Sequence, residues 1–273
     1  MDGSVISLTP IHSDMHMSRA GVDTATPSRC NSPQCGSCKF QQACVLHNGP
    51  DESHAMRLRV RKGESLFRAG DGFRMLYVVH SGFFKTMSVT EDGRDQVTGF
   101  HMGGDVLGMD GIETDHHNLT ATALEDSNVC AIAFSSLESM CADNRLIQHQ
   151  LFRLMSKEIV RSHDVAVLLG SMRAEERVAA FLVDLSYRLK ARGYSGAEFH
   201  LRMTREEIGS YLGLKLETVS RAFSKFQEYG LFEVHNKHIR ALDTEGLAAT
   251  LEEDGMQKLC NRSMGLAERT HLN

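Results

Sequence analysis

The residues of this chain best suited to chemistry are its seven cysteines. Three form a Cys-x2-Cys-x5-Cys triplet at Cys35, Cys38 and Cys44. Clustered thiols in odd number, in a chain without a recognisable secretory leader, indicate metal or redox chemistry rather than a disulfide framework. Three thiolates leave a tetrahedral zinc site or a four-cysteine iron–sulfur cluster one ligand short. The spacing therefore predicts a fourth ligand from among Cys30, Cys130, Cys141 and Cys260.

The spacing of the thiols leaves three alternatives open. Structural zinc usually binds two close cysteine pairs, whereas an asymmetric triplet with one distant thiol is more typical of an iron–sulfur cluster. Free thiols are the third alternative. Cys130 is ambiguous too, because strand alternation in the run NVCAIAF turns either Val129 or Cys130 inward, and buried cysteines are common.

The composition limits the class of protein. The chain has 273 residues, a formal net charge of −5 and 41% hydrophobic residues, as expected of a soluble globular protein with one or two domains. No apolar run approaches the roughly 18 residues of a membrane span, and we expect a cytoplasmic protein. A nucleophile elbow, an HExxH motif and a glycine-rich phosphate loop are all missing from the sequence, which argues against an enzyme. His116 and His117 are expected to be solvated in a turn.

Strand and helix patterns divide the chain. Residues 57–134 contain short runs rich in Val, Phe, Tyr and Thr between glycines, which predict an antiparallel sandwich or barrel. Glu91-Asp92-Gly93 has the composition of a hairpin turn. From about 136 to 170 the pattern is helical, and a second amphipathic helix is predicted over 173–190.

The first of these helices carries two apolar stripes. One follows the 3-4 spacing of a dimerisation seam and comprises Phe152, Met155, Ile159, Ser162, Ala166 and Leu169. The other comprises Leu151, Leu154, Val165 and Leu168. Two apolar faces favour a helix that packs on its own domain and on a second copy, although packing within one chain alone stays an alternative.

A helix-turn-helix follows, with a predicted wing. Thr204 and Glu207 form a capping box that predicts a helix beginning at Arg205 and ending near Leu212-Gly213. A second helix is predicted over 216–228, and the segment LFEVHNKHIRAL after it has the pattern of a β-hairpin. Residues 173–242 hold 12 Lys and Arg against 9 Asp and Glu, so this segment is mildly basic within an acidic chain.

The second helix presents candidates for reading DNA. Glu217, Ser220 and Arg221 share one face of its first half, which enters the major groove in helix-turn-helix proteins. Arginine can bind guanine through two hydrogen bonds, and glutamate can accept one from cytosine. Lys215, Thr218 and Lys225 are further DNA candidates, the lysines through phosphates. The alternative is a plain helical ion pair between Glu217 and Arg221.

These motifs together resemble the CRP/FNR superfamily of bacterial transcriptional regulators, in particular its oxygen-sensing iron–sulfur branch. The resemblance covers residues 35–242 and rests on the cysteine triplet, VTEDGRDQVTGFHMGGDVLGMDGI, NVCAIAF, AEERVAAFL and IGSYLGLKLETVSRAFSKFQ. It implies an α+β fold: a cyclic-nucleotide-binding-like β-roll (jelly roll) as sensory domain, a long dimerisation helix and a C-terminal winged helix-turn-helix. The implied divisions are a flexible tail (1–29), a cluster-binding loop (30–50), the β-roll (51–144), the dimerisation helix (145–171), the DNA-binding domain (172–245) and a C-terminal tail (246–273).

The resemblance also implies functional residues. Cys35, Cys38, Cys44 and Cys130 match the ligands of an oxygen-labile 4Fe–4S cluster. Glu217, Ser220 and Arg221 match residues that read an inverted repeat in double-stranded DNA as a homodimer. The turn of Glu91, Asp92, Gly93 and Arg94 resembles a loop that contacts RNA polymerase.

Two sequence features distinguish this chain within the superfamily. The cyclic-nucleotide branch has an Arg-Ser/Thr-Ala segment, whereas here NLTATALED offers no arginine, so we expect no cyclic nucleotide. Ser162 stands where an acidic residue is expected, which predicts easier dimerisation without a cluster. The alternative function is a CRP-type regulator of another effector, with zinc or redox thiols in place of the cluster.

Overall fold

The structure is a computed structural model that describes residues 55–89 and 93–250. The predicted tail (1–29), the predicted cluster-binding loop (30–50) and residues 51–54 lie outside these ranges. Residues 90–92, between two strands, and the residues after 250 lie outside them as well. The described chain begins with antiparallel strands: β1 (Ala55–Val60), β2 (Ser65–Phe67), β3 (Met75–Ser81), β4 (Phe83–Val89), β5 (Asp95–Met102), β6 (Val106–Leu107), β7 (Thr120–Ala123) and β8 (Ser127–Ala133). They confirm the predicted β-roll.

The roll consists of two four-stranded sheets, ordered β1-β8-β3-β6 and β2-β7-β4-β5. Its interior is an apolar cluster with members from both sheets, including Val79, Phe84, Ala121 and Val129. This interior contains no residue of the later helices among those described. The two sheets therefore bury a core of their own.

Strand alternation in β8 separates Val129 from Cys130. Val129 points into the roll, whereas Cys130 belongs to a second cluster on the outer face of the same sheet. That outer face is covered by helix α1 (Phe134–Asp143) and by the first turns of helix α2 (Arg145–Ser171), which contributes the fully buried Ile147. Cys130 is thus buried beneath the beginning of the long helix.

The segment with a helical pattern from about 136 to 170 comprises two helices, and the second covers the predicted dimerisation helix (145–171). Asn144 interrupts the segment with an extended backbone, and its side chain accepts a hydrogen bond from the N–H of Leu146. Asparagine competes with helix geometry through such local hydrogen bonds. Because of this break, α2 can leave the roll in a direction of its own.

The reader domain follows α2; it comprises helices α3 (Ala174–Lys190), α4 (Arg205–Leu212), α5 (Leu216–Glu228) and α6 (Thr244–Ala249). A three-stranded sheet joins β9 (Phe199–His200) to the wing hairpin of β10 (Glu233–His235) and β11 (His238–Arg240). The capping box of Thr204 and Glu207 and the left-handed Gly213 bound α4 as predicted. Leu247 of α6 is fully buried, so the folded domain continues past residue 245.

A buried carboxylate joins the roll to the helices. Asp105, next to β6, binds Arg188 at 2.8 Å and Arg192 at 2.7 Å, both in the segment of α3 and its C-terminal turn. Burial opposes its negative charge, but the two guanidinium groups outweigh burial and hold the pKa of its carboxyl far below the ordinary value. The carbonyl of Phe100 accepts hydrogen bonds from Arg161 of α2 and from Arg188. Roll, α2 and α3 therefore meet at one polar junction.

A neutral histidine lies beside this junction. His101 on β5 is buried, its Nε2 is 3.1 Å from the hydroxyl of Thr86, and its Nδ1 has no hydrogen-bond partner among the described residues. Burial, helped by the positive charge of Arg161, lowers the pKa of His101 to about 3.

None of the described helices is long and apolar enough to cross a bilayer.

The buried His101 predicts a loss of stability in mild acid. Unfolded histidine binds a proton below about pH 6.5, whereas His101 stays neutral in the fold down to about 3. The unfolded chain then binds more protons, so stability falls as pH falls through this window. Between pH 8 and pH 5, the unfolding free energy of His101→Gln should therefore fall by roughly 2 kcal/mol less than that of the wild type.

Urea unfolding at several pH values measures this effect. His116→Gln, at an exposed position of the roll, provides the matched control substitution. Parallel pH profiles for wild type and His101→Gln would contradict the prediction.

Candidate nucleic-acid interface and cysteine site

The second helix of the helix-turn-helix, α5, has one buried and one open face. Val219, Ala222, Phe223 and Phe226 are buried, and the two phenylalanine rings pack edge-on against Phe232 at the start of the wing. The predicted reading residues lie away from this face, with Glu217 and Arg221 exposed and Ser220 partly exposed. The helix therefore presents the predicted set to solvent: Lys215, Glu217, Thr218, Ser220, Arg221 and Lys225.

The angle between α4 and α5 depends on a close backbone approach at Gly209. A Cβ at this position would lie 2.6 Å from the carbonyl oxygen of Leu214. Any side chain would therefore push the turn away from α4. Gly213 in the same turn has φ 63°, a left-handed conformation that glycine adopts without strain.

Lys225 forms an ion pair with another helix of the same chain. Its ammonium is 2.5 Å from a carboxylate oxygen of Glu175, at the start of α3. This hydrogen bond raises the pKa of Lys225. A DNA phosphate would have to compete with Glu175 for Lys225, a contact that links residues 50 apart in sequence.

The two stripes of α2 have different environments. Leu151 and Leu154 pack with Cys130 and Ile147, and Leu168 packs on the reader domain. Phe152 and Ile159 of the other stripe are 57% and 55% exposed. Ser162 and Ala166 are exposed as well, whereas Met155 and Leu169 are partly buried. Much of this apolar seam is therefore left uncovered by the described part of its own chain.

Of the four proposed cluster ligands, only Cys130 lies within the described residues. It pairs with Arg57 of β1 on one side and with Val78 of β3 on the other. Cys35, Cys38 and Cys44 lie outside them. Within 55–89 and 93–250, no group of three or more His, Cys, Asp or Glu could hold a metal ion.

The predicted hairpin turn connects β4 and β5. The strands pair up to Val89 and Asp95, and Gly93 has φ 77°. Gly93 and Arg94 are exposed, and the tip with Glu91 and Asp92 lies outside the described residues.

A carboxylate fills a cradle of backbone N–H groups in the roll. Asp110 accepts hydrogen bonds from the N–H groups of Asn118 at 2.8 Å and Leu119 at 2.9 Å. Its other oxygen is 3.5 Å from Nδ1 of His117. Burial opposes the charge of Asp110, but the hydrogen bonds from His117 and the backbone outweigh it and lower the pKa of its carboxyl.

The expectation of a solvated histidine pair is wrong for His117. Its ring is buried and stacks on Phe67, with centroids 3.8 Å apart, whereas His116 is exposed. The polar turn in the sequence concealed this burial, because Phe67 comes from a strand about 50 residues earlier. Sequence reasoning also missed Asp105 and Glu175, whose basic partners are distant in sequence.

Comparisons with known proteins agree with this architecture. The profile of the Crp-like helix-turn-helix domain matches residues 176–250, and that of the cyclic nucleotide-binding domain matches residues 57–144. The chain is 41% identical to the transcriptional regulatory protein btr of Bordetella pertussis, over 84% of this chain and 97% of that protein. It is 45% identical to the transcriptional activator protein FnrA of Stutzerimonas stutzeri, over 70% of this chain and 78% of that protein.

A third relative is the fumarate and nitrate reduction regulatory protein of Salmonella typhimurium, 40% identical over 79% of this chain and 89% of that protein. Among solved structures, FixK2 from Bradyrhizobium japonicum superposes with a TM-score of 0.66 at 32% identity, over 71% of this chain and 96% of that one. A CRP-family transcriptional regulator from Thermus thermophilus shares the fold, with a TM-score of 0.56 at 20% identity, over 69% of this chain and 93% of that one. By sequence and by fold, the chain belongs to the CRP/FNR family of transcriptional regulators, with a DNA-binding helix-turn-helix.

Proposed function

We propose that this protein is an oxygen-responsive transcriptional regulator. It reads an inverted-repeat DNA site as a homodimer while a 4Fe–4S cluster on Cys35, Cys38, Cys44 and Cys130 is intact. The observation that carries the proposal is the position of Cys130, buried against the first turns of α2. A change at this thiol acts directly on the helix that bears the exposed apolar seam.

The path of the chain fits a shared cluster. Strand β1 pairs with β8 so that Arg57 lies opposite Cys130. Cys44 precedes Arg57 by 13 residues, a segment that can span up to about 45 Å when extended. The connecting segment is therefore long enough for the triplet to reach Cys130. When bound, a 4Fe–4S cluster supplies a link among four thiolates that oxygen breaks.

The chain's own residues convert this link into DNA binding. Cys130, Ile147, Leu151 and Leu154 form one packed cluster, so strain at the thiol shifts the start of α2. The seam containing Phe152 and Ile159 then meets its counterpart in a second copy. Dimerisation brings two α5 helices to half-sites about one DNA turn apart. Arg221 and Glu217 read base edges, and Ser220 belongs to the same face of α5.

Two further parts of the roll have proposed roles. The segment from Glu91 to Arg94, between β4 and β5, contacts RNA polymerase, and its described residues Gly93 and Arg94 are exposed. Cyclic nucleotides are not ligands, because Asp110 occupies the N–H cradle that would otherwise attract a phosphate. The name of the fumarate and nitrate reduction relative supports control of anaerobic gene expression.

The cluster is tested by iron and acid-labile sulfide analysis of protein prepared without oxygen. We expect about four of each per chain, with visible absorbance that air removes together with specific DNA binding. Cys130→Ser should lose both. Cys141 packs against the same apolar cluster, so Cys141→Ser is the matched control and should retain both.

Two results would contradict the cluster. A colourless protein that binds its site equally in air would exclude oxygen control. Zinc in place of iron would favour the alternative regulator with a different effector.

DNA reading predicts opposite effects for two substitutions. Arg221→Ala should cost about 1–3 kcal/mol on the preferred site and relax discrimination at one base pair. Glu175→Gln releases Lys225 for phosphate, so it should strengthen binding to all sequences and steepen the salt dependence by about one charge. Fluorescence anisotropy at several salt concentrations measures both.

Glu113→Gln, on the exposed surface of the roll, removes the same charge and serves as control. Equal gains from Glu113→Gln and Glu175→Gln would show that net charge alone is responsible.

The seam predicts how Ser162 affects assembly. Without an acidic residue here, apo protein at micromolar concentration should contain dimer, and Ser162→Asp should shift it to monomer because two carboxylates would then face each other. Sedimentation velocity measures the populations. Ser171 is nine residues along the helix, on its opposite side, and its hydroxyl donates to the i−4 carbonyl as that of Ser162 does. Ser171→Asp should leave the dimer intact, and an apo protein that is entirely monomeric would contradict the prediction.

A further inference from the structure

We propose that Lys85 and Glu207 are positioning residues for DNA reading. Their contact holds the beginning of α4 against the roll. Together with the Asp105 junction at α3, it sets the orientation of the reader domain and hence the separation of the two α5 helices in a dimer. This inference rests on the proposed function as a dimeric reader of an inverted repeat.

The contact is a short ion pair between the two domains. The ammonium of Lys85, on β4, is 2.8 Å from Oε1 of Glu207, and the two side chains are only 17% and 18% exposed. Oε2 of the same carboxylate accepts the N–H of Thr204 at 2.6 Å. One side chain therefore caps α4 and ties its first turn to the sensory domain.

The charge state of Glu207 reflects this double engagement. Burial opposes the charge, but the hydrogen bonds from Lys85 and Thr204 outweigh burial and hold the pKa of its carboxyl below the ordinary value. Salt screens such a partly buried pair less than a pair on the open surface. The pair can therefore persist under the ionic conditions in which DNA is bound.

A second contact lies one turn further along α4. The hydroxyl of Ser210 accepts the N–H of Val97 at 2.8 Å, and the side-chain amide of Gln96 donates to the carbonyl of Ser210. Glu207 and Ser210 are three residues apart and so share one face of the helix. That face lies along the edge of β5, the last strand in its sheet.

The far end of α4 is held by a different residue. Arg177 on α3 donates to the carbonyl of Leu212, at the end of α4, and to that of Leu169, near the end of α2. Tyr211 also contacts Phe100 of the roll, with ring centroids 5.3 Å apart. Apolar contact is non-directional, so it favours proximity without setting an angle. Lys85 is the directional restraint on the beginning of α4.

Orientation matters because α5 follows α4 through a tight turn. A tilt of α4 about its fixed far end displaces α5 relative to the roll and to the dimer seam. Two half-sites separated by about one helical turn tolerate little such displacement. A single half-site imposes no such requirement. Affinity for a single half-site therefore measures base reading, whereas the preference for one spacing measures the positioning of α5.

The test compares DNA sites that differ only in half-site spacing. Anaerobically prepared wild-type protein should prefer one spacing over sites with one or two base pairs inserted. Lys85→Met keeps the aliphatic stem but lacks the charge. It should bind the preferred spacing about tenfold more weakly and discriminate less among spacings, with affinity for a single half-site unchanged.

Three variants control for other effects. Glu207→Gln retains an acceptor for the N–H of Thr204 and should reproduce Lys85→Met, so it provides the readout if that variant is poorly folded. Lys85→Arg should restore the wild-type preference. Lys62→Met removes the same charge from an exposed position of the roll and should behave as wild type.

The outcomes are distinguishable. Unchanged spacing preference in both Lys85→Met and Glu207→Gln would overturn the positioning role, as would an equal loss on half-site and full site. Wild-type protein that binds paired half-sites no better than one would overturn dimeric reading, and the positioning role with it.

Discussion

In the described part of the chain, the packing of α2 and α3 on the roll depends on one buried carboxylate. Asp105 binds Arg188 and Arg192, and the neighbouring backbone carbonyls accept further hydrogen bonds from arginines, Phe100 from Arg161 and Arg188, Gly103 from Arg192. Buried charges are tolerated only when they are paired and hydrogen bonded. Without the carboxylate, Arg192 would lose this ion pair and Arg188 would keep only the more distant Asp184, at a site that is largely buried. The roll and the helices are therefore held in one relative position by electrostatics as well as by apolar contact.

The two faces of the sheet that contains β8 pack against different parts of the protein. In β8, Val129 fills the interior of the roll and Cys130 faces the helices outside it. The interior of the roll can therefore stay packed while the outer face carries the thiol of Cys130. Because the cluster that contains Cys130 also contains Ile147, the proposed ligand and the start of α2 share the same packed atoms. In the proposed function, a change at the thiol therefore reaches α2 over a short distance.

The β4–β5 hairpin connects the remaining functions. Its turn carries the proposed polymerase contact, and its strands supply Lys85, Gln96 and Val97 to the reader domain. In these two proposals, one hairpin orients the DNA-binding helices and carries the surface that contacts the transcription machinery. In the proposed function, the same roll keeps a cyclic nucleotide out by satisfying its anion cradle with Asp110.

The sequence by itself determined the elements whose signals are local. The helices of the helix-turn-helix begin and end where predicted, because the Thr204–Glu207 capping box and the left-handed Gly213 act within a few residues. Apolar spacing likewise separated the two stripes of α2. Only the tertiary structure decided which side of β8 holds Cys130, since alternation allows either side to face the core. It alone decided that His117 is buried, that Lys225 is bound by Glu175 and that Lys85 meets Glu207, 122 residues away. Partners so distant in sequence are selected by how the sheets and helices pack, and a pattern of neighbouring residues contains no information about that packing.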